Sequence, residues 1–412
     1  MNDARWISAL EASRHLAVSR ATLYAYVSRG YIRSQAAPGS TRTRVYSLED
    51  VGRVRRQSEE RRQPAKAAAH ALDWGMPVLE SAISFIDGAR LYYRGHDAVA
   101  LSRSRGLADV ASLIWIGRFD AASLTQRSQS RRSPRTLDAT APFMSRAQAA
   151  LARASARDGA SDLRPDAVAA TGWHILQLLA STAGGSGFQE SRIEAALARA
   201  WRTNATGVGL LRSALILSAD HELNVSSFTA RCVASAGSNP YAVAIAGLAA
   251  LEGVRHGGAG ARVDSMLQAI RRERSLSRAI ADRLRRGEPI DGFGHPLYRD
   301  GDPRAKALLA QLAEEHRRSS ELTFVLDVVD ATSAATGHHP NIDFALTAVA
   351  RVLRLPPHSG LTLFAIGRTI GWIGHAIEQY ATGQLIRPRA RYIGVMPGQG
   401  RLRRPDETSV NG

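Results

Sequence analysis

The spacing of apolar and polar positions divides the 412-residue chain into two regions of different rhythm. In WISALEASRHLAV the apolar residues Ile7, Leu10, Leu16 and Val18 fit a short helix and a turn. Ser19 is placed to cap a second helix that carries Leu23, Tyr26 and Val27 and stops at Gly30. The segment YIRSQAAPGSTRTRVYSLEDV reads as a short hairpin, or wing, with its turn at Pro38 and Gly39. Ser47 then caps a last helix from Leu48 that bears Val51 and Val54.

Residues 58–73 shift to a linker composition, and TQRSQSRRSPRT at 125–136 reads as a solvated loop. From about residue 75 the pattern is mostly helical. ESRIEAALARAW and SGLTLFAIGRTIGWIGHAIEQ place apolar residues at i, i+3, i+4 and i+7. SAISFIDGARLYYRG is the best candidate for a small hairpin. No repeat of 20 to 50 residues is present. The expected class is an α-rich domain of enzyme size.

Composition narrows the setting. Hydrophobic residues are 44% and charged residues 22%, as in an ordinary soluble protein with a sizeable core. No run of about 18 apolar residues exists, so no membrane partner is expected. The first residues lack the apolar stretch of a signal peptide, so the expected location is cytoplasmic. The single cysteine, Cys232, excludes an intrachain disulfide and a multi-cysteine metal site, and its apolar surroundings suggest an inert buried thiol. The net charge is +17 and almost all arginine, since Lys66 and Lys306 are the only lysines. Nucleic acid, an anionic substrate or a codon bias each account for such an excess.

Two short helices, a sharp turn and a basic wing suit a DNA reader. Arg20, Thr22 and Tyr24 would lie at the exposed start of the second helix, with Arg42 and Arg44 on the wing against phosphates. The plainer alternative is a helical docking module with solvated arginines. The pattern over residues 5–57 resembles the winged helix-turn-helix of MerR-like and excisionase-type proteins.

Candidate chemistry lies further on. In DGFGHPLYRDGDPRA, Gly292 and Gly294 permit positive φ or a close approach to a ligand, and His295 can share a proton near neutral pH. Arg299 and Arg304 can fork onto carboxylate or phosphate oxygens. His221 lies with Asp220 and Asn224 in SADHELNVSS, where a satisfied core histidine is the plain alternative. His256 precedes two glycines at a helix start, where a neutral imidazole can donate to a developing oxyanion. Asp343 follows Pro340 and Asn341 before an apolar helix, so it is either a cap or a general base ionised at pH 7. Arg368 sits inside an apolar helix, a costly place for a cation without a partner or an anion. Arg387, Arg389 and Arg391 follow that helix, where the plain alternative is a solvated basic tail. Together these groups suit carbanion chemistry on a polycarboxylate.

In order along residues 75–396, ISFIDGARLYYRG, DHELNVSSFTARCVAS, HGGA, GFGHPLYRDGDPRA, PNIDF, GRTIGWIGHAIEQ and RPRARYIG resemble the citrate synthase family. The resemblance implies an all-α fold with large and small helical domains, behind the small winged helix-turn-helix domain at 1–57. The linker would span 58–73, the catalytic domain 74–396 with a small subdomain at roughly 258–352, and a flexible tail 397–412. It implies a homodimer or higher homo-oligomer that takes oxaloacetate and then acetyl-CoA, both as substrates, with no cofactor and no metal.

By matching position, Asp343 would take a proton from the acetyl methyl, His256 would hold the thioester oxygen, and His295 would polarise the ketone. His221, Arg304 and Arg368 would hold oxaloacetate carboxylates, Arg387 would reach in from a neighbouring subunit, and Arg299 would face the CoA phosphates. Citryl-CoA would then be hydrolysed to citrate and CoA. Departures occur at Arg255, Gly260, Ala261 and Gly367 and in the shortened GARLYYRG, and they bear on turnover and on the choice of acyl-CoA. The alternatives are a 2-methylcitrate synthase using propionyl-CoA and a DNA-binding, metabolite-sensing regulator on the same scaffold.

Overall fold

A computed structural model describes residues 6–37, 43–52, 54–55, 79–128, 140–184, 192–390 and 392–395. The chain divides into two compact units, Met1–Glu80 and Ser81–Gly412. The expected turn residues Pro38 and Gly39, Arg42, the 58–73 linker, most of the 125–136 loop, Arg391 and the 397–412 tail lie outside the described residues.

In the first unit β1 (Trp6–Ser8) leads into α1 (Ala9–Leu16) and α2 (Arg20–Ser28), followed by β2 (Ser34–Ala36) and β3 (Arg44–Ser47). The strands form one antiparallel sheet in the order β1-β3-β2. Ile7, expected in the first helix, is in β1 opposite Tyr46. The reason is Ser8, which accepts the Glu11 N–H while the Glu11 carboxylate accepts the Ser8 N–H, so the helix cannot begin earlier. Ser19 caps α2 through the Thr22 N–H, and Gly30 ends it at φ +76. Ala12, Leu16, Leu23, Ile32, Tyr46, Val51 and Val54 form a small separate core. Buried Asp50 accepts the Arg33 backbone N–H at 2.9 Å and Arg33 Nε at 2.7 Å.

The second unit opens with the expected hairpin, β4 (Ser84–Asp87) and β5 (Arg90–Tyr93), to which β6 (His96–Asp97) adds a third antiparallel strand. Helices then dominate. They are α3 (Ala98–Ser104), α4 (Leu107–Ile116), α5 (Ala121–Ser128), α6 (Phe143–Asp158), α7 (Pro165–Gly184), α8 (Ile193–Ala200), α9 (Ala205–Leu217), α10 (Val225–Ser235) and α11 (Pro240–Leu251). There follow α12 (Ala259–Arg271), α13 (Leu276–Arg285), α14 (Pro303–Glu315), α15 (Ser320–Thr336), α16 (Ile342–Val352) and α17 (Ser359–Thr382). The two small sheets qualify the all-α expectation; the rest of the described fold is mostly helical.

Helix α17 is the axis of this unit. It is buried along almost its whole length and packs on α4, α7, α9, α10, α11 and α16. That explains why SGLTLFAIGRTIGWIGHAIEQ is apolar all round rather than on one stripe. Close approach depends on glycine: a Cβ on Gly371 would stand 2.4 Å from Ala219 O and 2.5 Å from Asp220 Oδ1. The Gly371 N–H reaches Ala219 O at 2.9 Å, pinning the loop after α9 against the helix. Cys232, on α10, is partly buried, and burial pushes its thiol up, which keeps it protonated and unreactive.

Candidate active site

The loop around His295 is laid against the segment before α16. Gly292 and Gly294 take φ of +83° and +81°, which side chains with a Cβ rarely adopt. The turn lets Gly294 N–H donate to His339 O at 2.8 Å and Gly292 O accept from Asn341 N–H at 2.9 Å. Asn341 Oδ1 then accepts from the N–H groups of Asp343 and Phe344, so Asn341 fills the cap of α16. That releases Asp343 from the capping role its position suggests. It sits in the first turn, partly buried, and no described residue donates a hydrogen bond to its carboxylate. Burial pushes Asp343 up to about 6, against the pull of Arg304. Ionisation at pH 7 is therefore less lopsided than the free aspartate value suggests.

Asp302 and Arg304 are the electrostatic hub beside it. Asp302 caps α14 by accepting the Arg304 N–H at 3.0 Å, and it holds the same residue's Nε and Nη2 at 2.9 and 2.7 Å. Both side chains are buried. Burial works against each charge, but their attraction outweighs it, so Arg304 is raised and Asp302 lowered from their ordinary values.

His295 lies in the same loop. Its Nδ1 accepts the Leu297 N–H at 3.1 Å. A neutral imidazole with Nδ1 accepting carries its proton on Nε2, so Nε2–H is a donor. Burial and then Arg304 bring His295 down to about 4, so it is neutral at pH 7. The His221 ring stands 5.1 Å away, and burial with Arg304 and Arg368 holds it well below the ordinary range. His221 Nε2 is 2.9 Å from the Tyr298 hydroxyl.

Arg368 enters from α17. It is buried, with Nε donating to Ser218 O at 2.8 Å and its guanidinium 4.7 Å from the Phe364 ring. Its Nη1 is buried with no hydrogen-bond partner. Burial brings it down to about 10, which leaves it charged at neutral pH. A buried cation with an unspent donor is a place prepared for an anion. Beneath it, Asp220 takes the Ser84 hydroxyl at 2.5 Å and meets His375 Nε2 at 3.1 Å. Arg231 bonds Gln379 at 2.8 Å, which ties α10 to α17.

His256 sits in the turn before α12 rather than in the helix itself. It comes down to about 4 through burial first and Arg368 second. The neutral state expected from the helix end thus has a different main cause. Its Nε2 is 2.9 Å from Ser226 Oγ, which also accepts Trp372 Nε1–H at 3.2 Å. Phe364 lies against both His256, at 5.9 Å between ring centres, and Arg368.

The fold thus gathers His221, His295, Arg304, Arg368, Asp343 and His256 into one electrostatically coupled group. Arg299 is exposed on the loop before α14, and Arg387 is exposed beyond the end of α17, so neither joins the group within this chain. Among the described residues no cluster of three His, Cys, Asp or Glu side chains could hold a metal ion. Sequence reasoning did not single out Asp302, Ser226 or Tyr298 for a role. An Asp before Pro at a helix start marks Asp302 as a cap, while nothing local marks the other two.

In the first unit, Arg20 and Tyr24 are exposed on α2, and Thr22 is half-buried with its hydroxyl 3.0 Å from Ser19 Oγ. Exposed Arg44 spends Nε and Nη2 on Ser34, each at 3.0 Å.

The chain is similar to known proteins over most of its length. The family described as "Citrate synthase, C-terminal domain" matches residues 71–389. Citrate synthase 2 of Bacillus subtilis is 38% identical over 194 residues, which is 45% of this chain and 51% of that protein. The match therefore spans about half of that relative's length. A citrate synthase of Haloferax volcanii is 29% identical over 357 residues, 78% of this chain and 94% of that protein. A 2-methylcitrate synthase of Corynebacterium glutamicum is 34% identical over 195 residues, 47% of this chain and 51% of that protein. The crystal structure of citrate synthase from Thermotoga maritima superposes with a TM-score of 0.66 at 26% identity, covering 81% of this chain and 98% of that one. The chain belongs to the citrate synthase family of enzymes.

Proposed function

We propose that the chain joins the methyl carbon of acetyl-CoA to the ketone carbon of oxaloacetate and hydrolyses the resulting thioester to citrate and CoA. The observation that carries the reading is Arg368, a buried guanidinium whose Nη1 has no partner. It stands in a group whose nearby histidines are neutral and whose aspartate is largely ionised at pH 7. A dianionic keto acid supplies the missing negative charge.

Asp343 removes a proton from the acetyl methyl. The enolate oxygen is held by an N–H of His256. When the Ser226 hydroxyl donates its hydrogen bond to His256 Nε2, the neutral ring carries its proton on Nδ1, free for that oxygen. The enolate carbon attacks the ketone, whose oxygen accepts from His295 Nε2–H and takes that proton as it becomes the alcohol, while the proton that Asp343 took from the methyl is released to solvent and solvent restores the His295 imidazole. Water adds to the thioester carbonyl, the C–S bond breaks, and the thiolate leaves with a proton. Arg304 and Arg368 bind carboxylates, and His221 assists. Arg387 serves the site of a second copy, and Arg299 meets CoA phosphates. Thiol release assayed with the two substrates tests the reading.

A second reading replaces acetyl-CoA by propionyl-CoA. It is favoured by the identity to a 2-methylcitrate synthase and by Gly260 and Ala261, where the family pattern carries larger residues. One methylene shifts preference by only about 1–3 kcal/mol, so rates with the two thioesters decide it.

For the first unit we propose a winged helix-turn-helix that binds DNA. Support comes from the sharp α1–α2 connection, the exposed Arg20 and Tyr24 at the start of α2, and the β2–β3 hairpin. A gel shift with the gene's own upstream DNA should show binding that weakens with salt. Absent or salt-insensitive binding leaves a docking or oligomer-setting role, which deletion of residues 1–70 and a mass measurement would reveal.

A further inference from the structure

Tyr298 is the buried polar side chain at the centre of the group that the proposed mechanism does not use. It is 3% exposed. Its ring centre lies 4.9 Å from that of His295 and 5.5 Å from that of His221, and the Arg304 guanidinium is 6.0 Å from the ring. Its hydroxyl is 2.9 Å from His221 Nε2, and among the described residues it makes no second hydrogen bond.

A phenol has one proton to give and lone pairs to accept. Burial raises Tyr298 above the ordinary tyrosine range, so it keeps that proton at any working pH. His221 is neutral and also has one ring proton. Phenol and imidazole therefore bring two protons to a contact that uses one. Arg304 has committed Nε and Nη2 to Asp302, so the pocket has few uncommitted donors for an anion. Where His221 Nε2–H donates to the phenol oxygen, the phenol O–H, ringed by two neutral imidazoles and a cation, is one of them.

We propose that Tyr298 is a substrate-binding residue: its phenol and the His221 imidazole act as one hydrogen-bonding unit on an oxygen of the bound keto dicarboxylate. This rests on the oxaloacetate reading above. By accepting the His221 Nε2–H the phenol fixes the imidazole, and its own O–H is left as a neutral donor to the ligand beside the cationic arginines. It acts on the keto acid alone, because its contacts are with His221, His295 and Arg304 and not with His256.

The test is Tyr298→Phe, which keeps the ring and removes one O–H. Oxaloacetate binding to the full chain is measured by calorimetry, and KM for each substrate and kcat by thiol release. The proposal expects oxaloacetate affinity to fall, and its KM to rise, by about tenfold or more. KM for acetyl-CoA and kcat should stay within about threefold, with an unchanged melting temperature. In a His221→Ala background the same substitution should have less than half its logarithmic effect, because the two groups act as a unit. Oxaloacetate binding within twofold of wild type overturns the proposal, and so does an equal loss for both substrates with a lowered melting temperature. Wild-type protein that binds oxaloacetate but releases no thiol sinks the condensation reading and leaves the binding comparison to judge Tyr298. Wild-type protein that binds no oxaloacetate overturns both.

Discussion

The Asp302 carboxylate holds the Arg304 guanidinium side-on, with bonds of 2.9 and 2.7 Å between two buried groups. Its Oδ2 also accepts the Ile342 N–H at 3.1 Å, one residue before Asp343. One carboxylate thus sets the position of the Arg304 guanidinium and the first turn of the helix that carries Asp343, the proposed general base.

Asp302→Asn should lower stability by about 3–5 kcal/mol, because it leaves Arg304 charged and buried without its counterion. Urea unfolding measures this. A loss under about 1 kcal/mol would show that the pair is not the support described.

Arg368→Met should behave in the opposite sense. Arg368 makes no ion pair to a carboxylate among the described residues, and its Nη1 is unsatisfied. Replacing it removes a desolvation cost, so the ligand-free protein should be at least as stable as wild type. The rise in melting temperature that oxaloacetate gives to wild type should vanish. Marked destabilisation without ligand would mean that the charge is structural.

Much of this was legible in the sequence, for local reasons. Gly292 and Gly294, the Ser19 cap and the apolar α17 follow from local stereochemistry and periodicity. Apolar spacing alone puts Ile7 in a helix, while pairing with Tyr46, 39 positions away along the chain, and the Ser8–Glu11 capping box place it in a strand. Ser226 and Tyr298 could not be found, since their significance comes from His256 and His221, which are brought to them by tertiary packing. The raised value of Asp343 likewise depends on burial, which no spacing reveals.

The pH dependence of kcat/KM should follow Asp343. As a base it works only when ionised, so kcat/KM should rise with pH through about 6 and level off above it. His256 and His295, both near 4, should add no limb between pH 5 and 8. Asp343→Asn should cut kcat by about 10²–10⁴-fold and leave oxaloacetate binding intact. A flat profile from pH 5 to 8 would contradict the assignment.

Stability should depend on pH through the same histidines. Their folded values are depressed, so between about 4 and 6.5 the unfolded chain binds more protons than the folded one. Stability should therefore be fullest above pH 6.5 and fall as pH drops through that window. The double substitution His256→Gln, His295→Gln should flatten the slope, as equilibrium unfolding at several pH values would record.

Gly371→Ala should destabilise the protein by about 1–3 kcal/mol, since its Cβ would stand 2.4 Å from Ala219 O and 2.5 Å from the Asp220 carboxylate. Thermal unfolding measures it, and an unchanged midpoint would mean that α17 shifts freely.

CoA release by the purified, folded protein tests the proposed condensation at its chemistry. Thiol should be released when oxaloacetate and acetyl-CoA are both present, little when either is omitted, and none from His295→Ala protein that still unfolds cooperatively. No release from wild-type protein with either acetyl-CoA or propionyl-CoA, or undiminished release from His295→Ala, would contradict it.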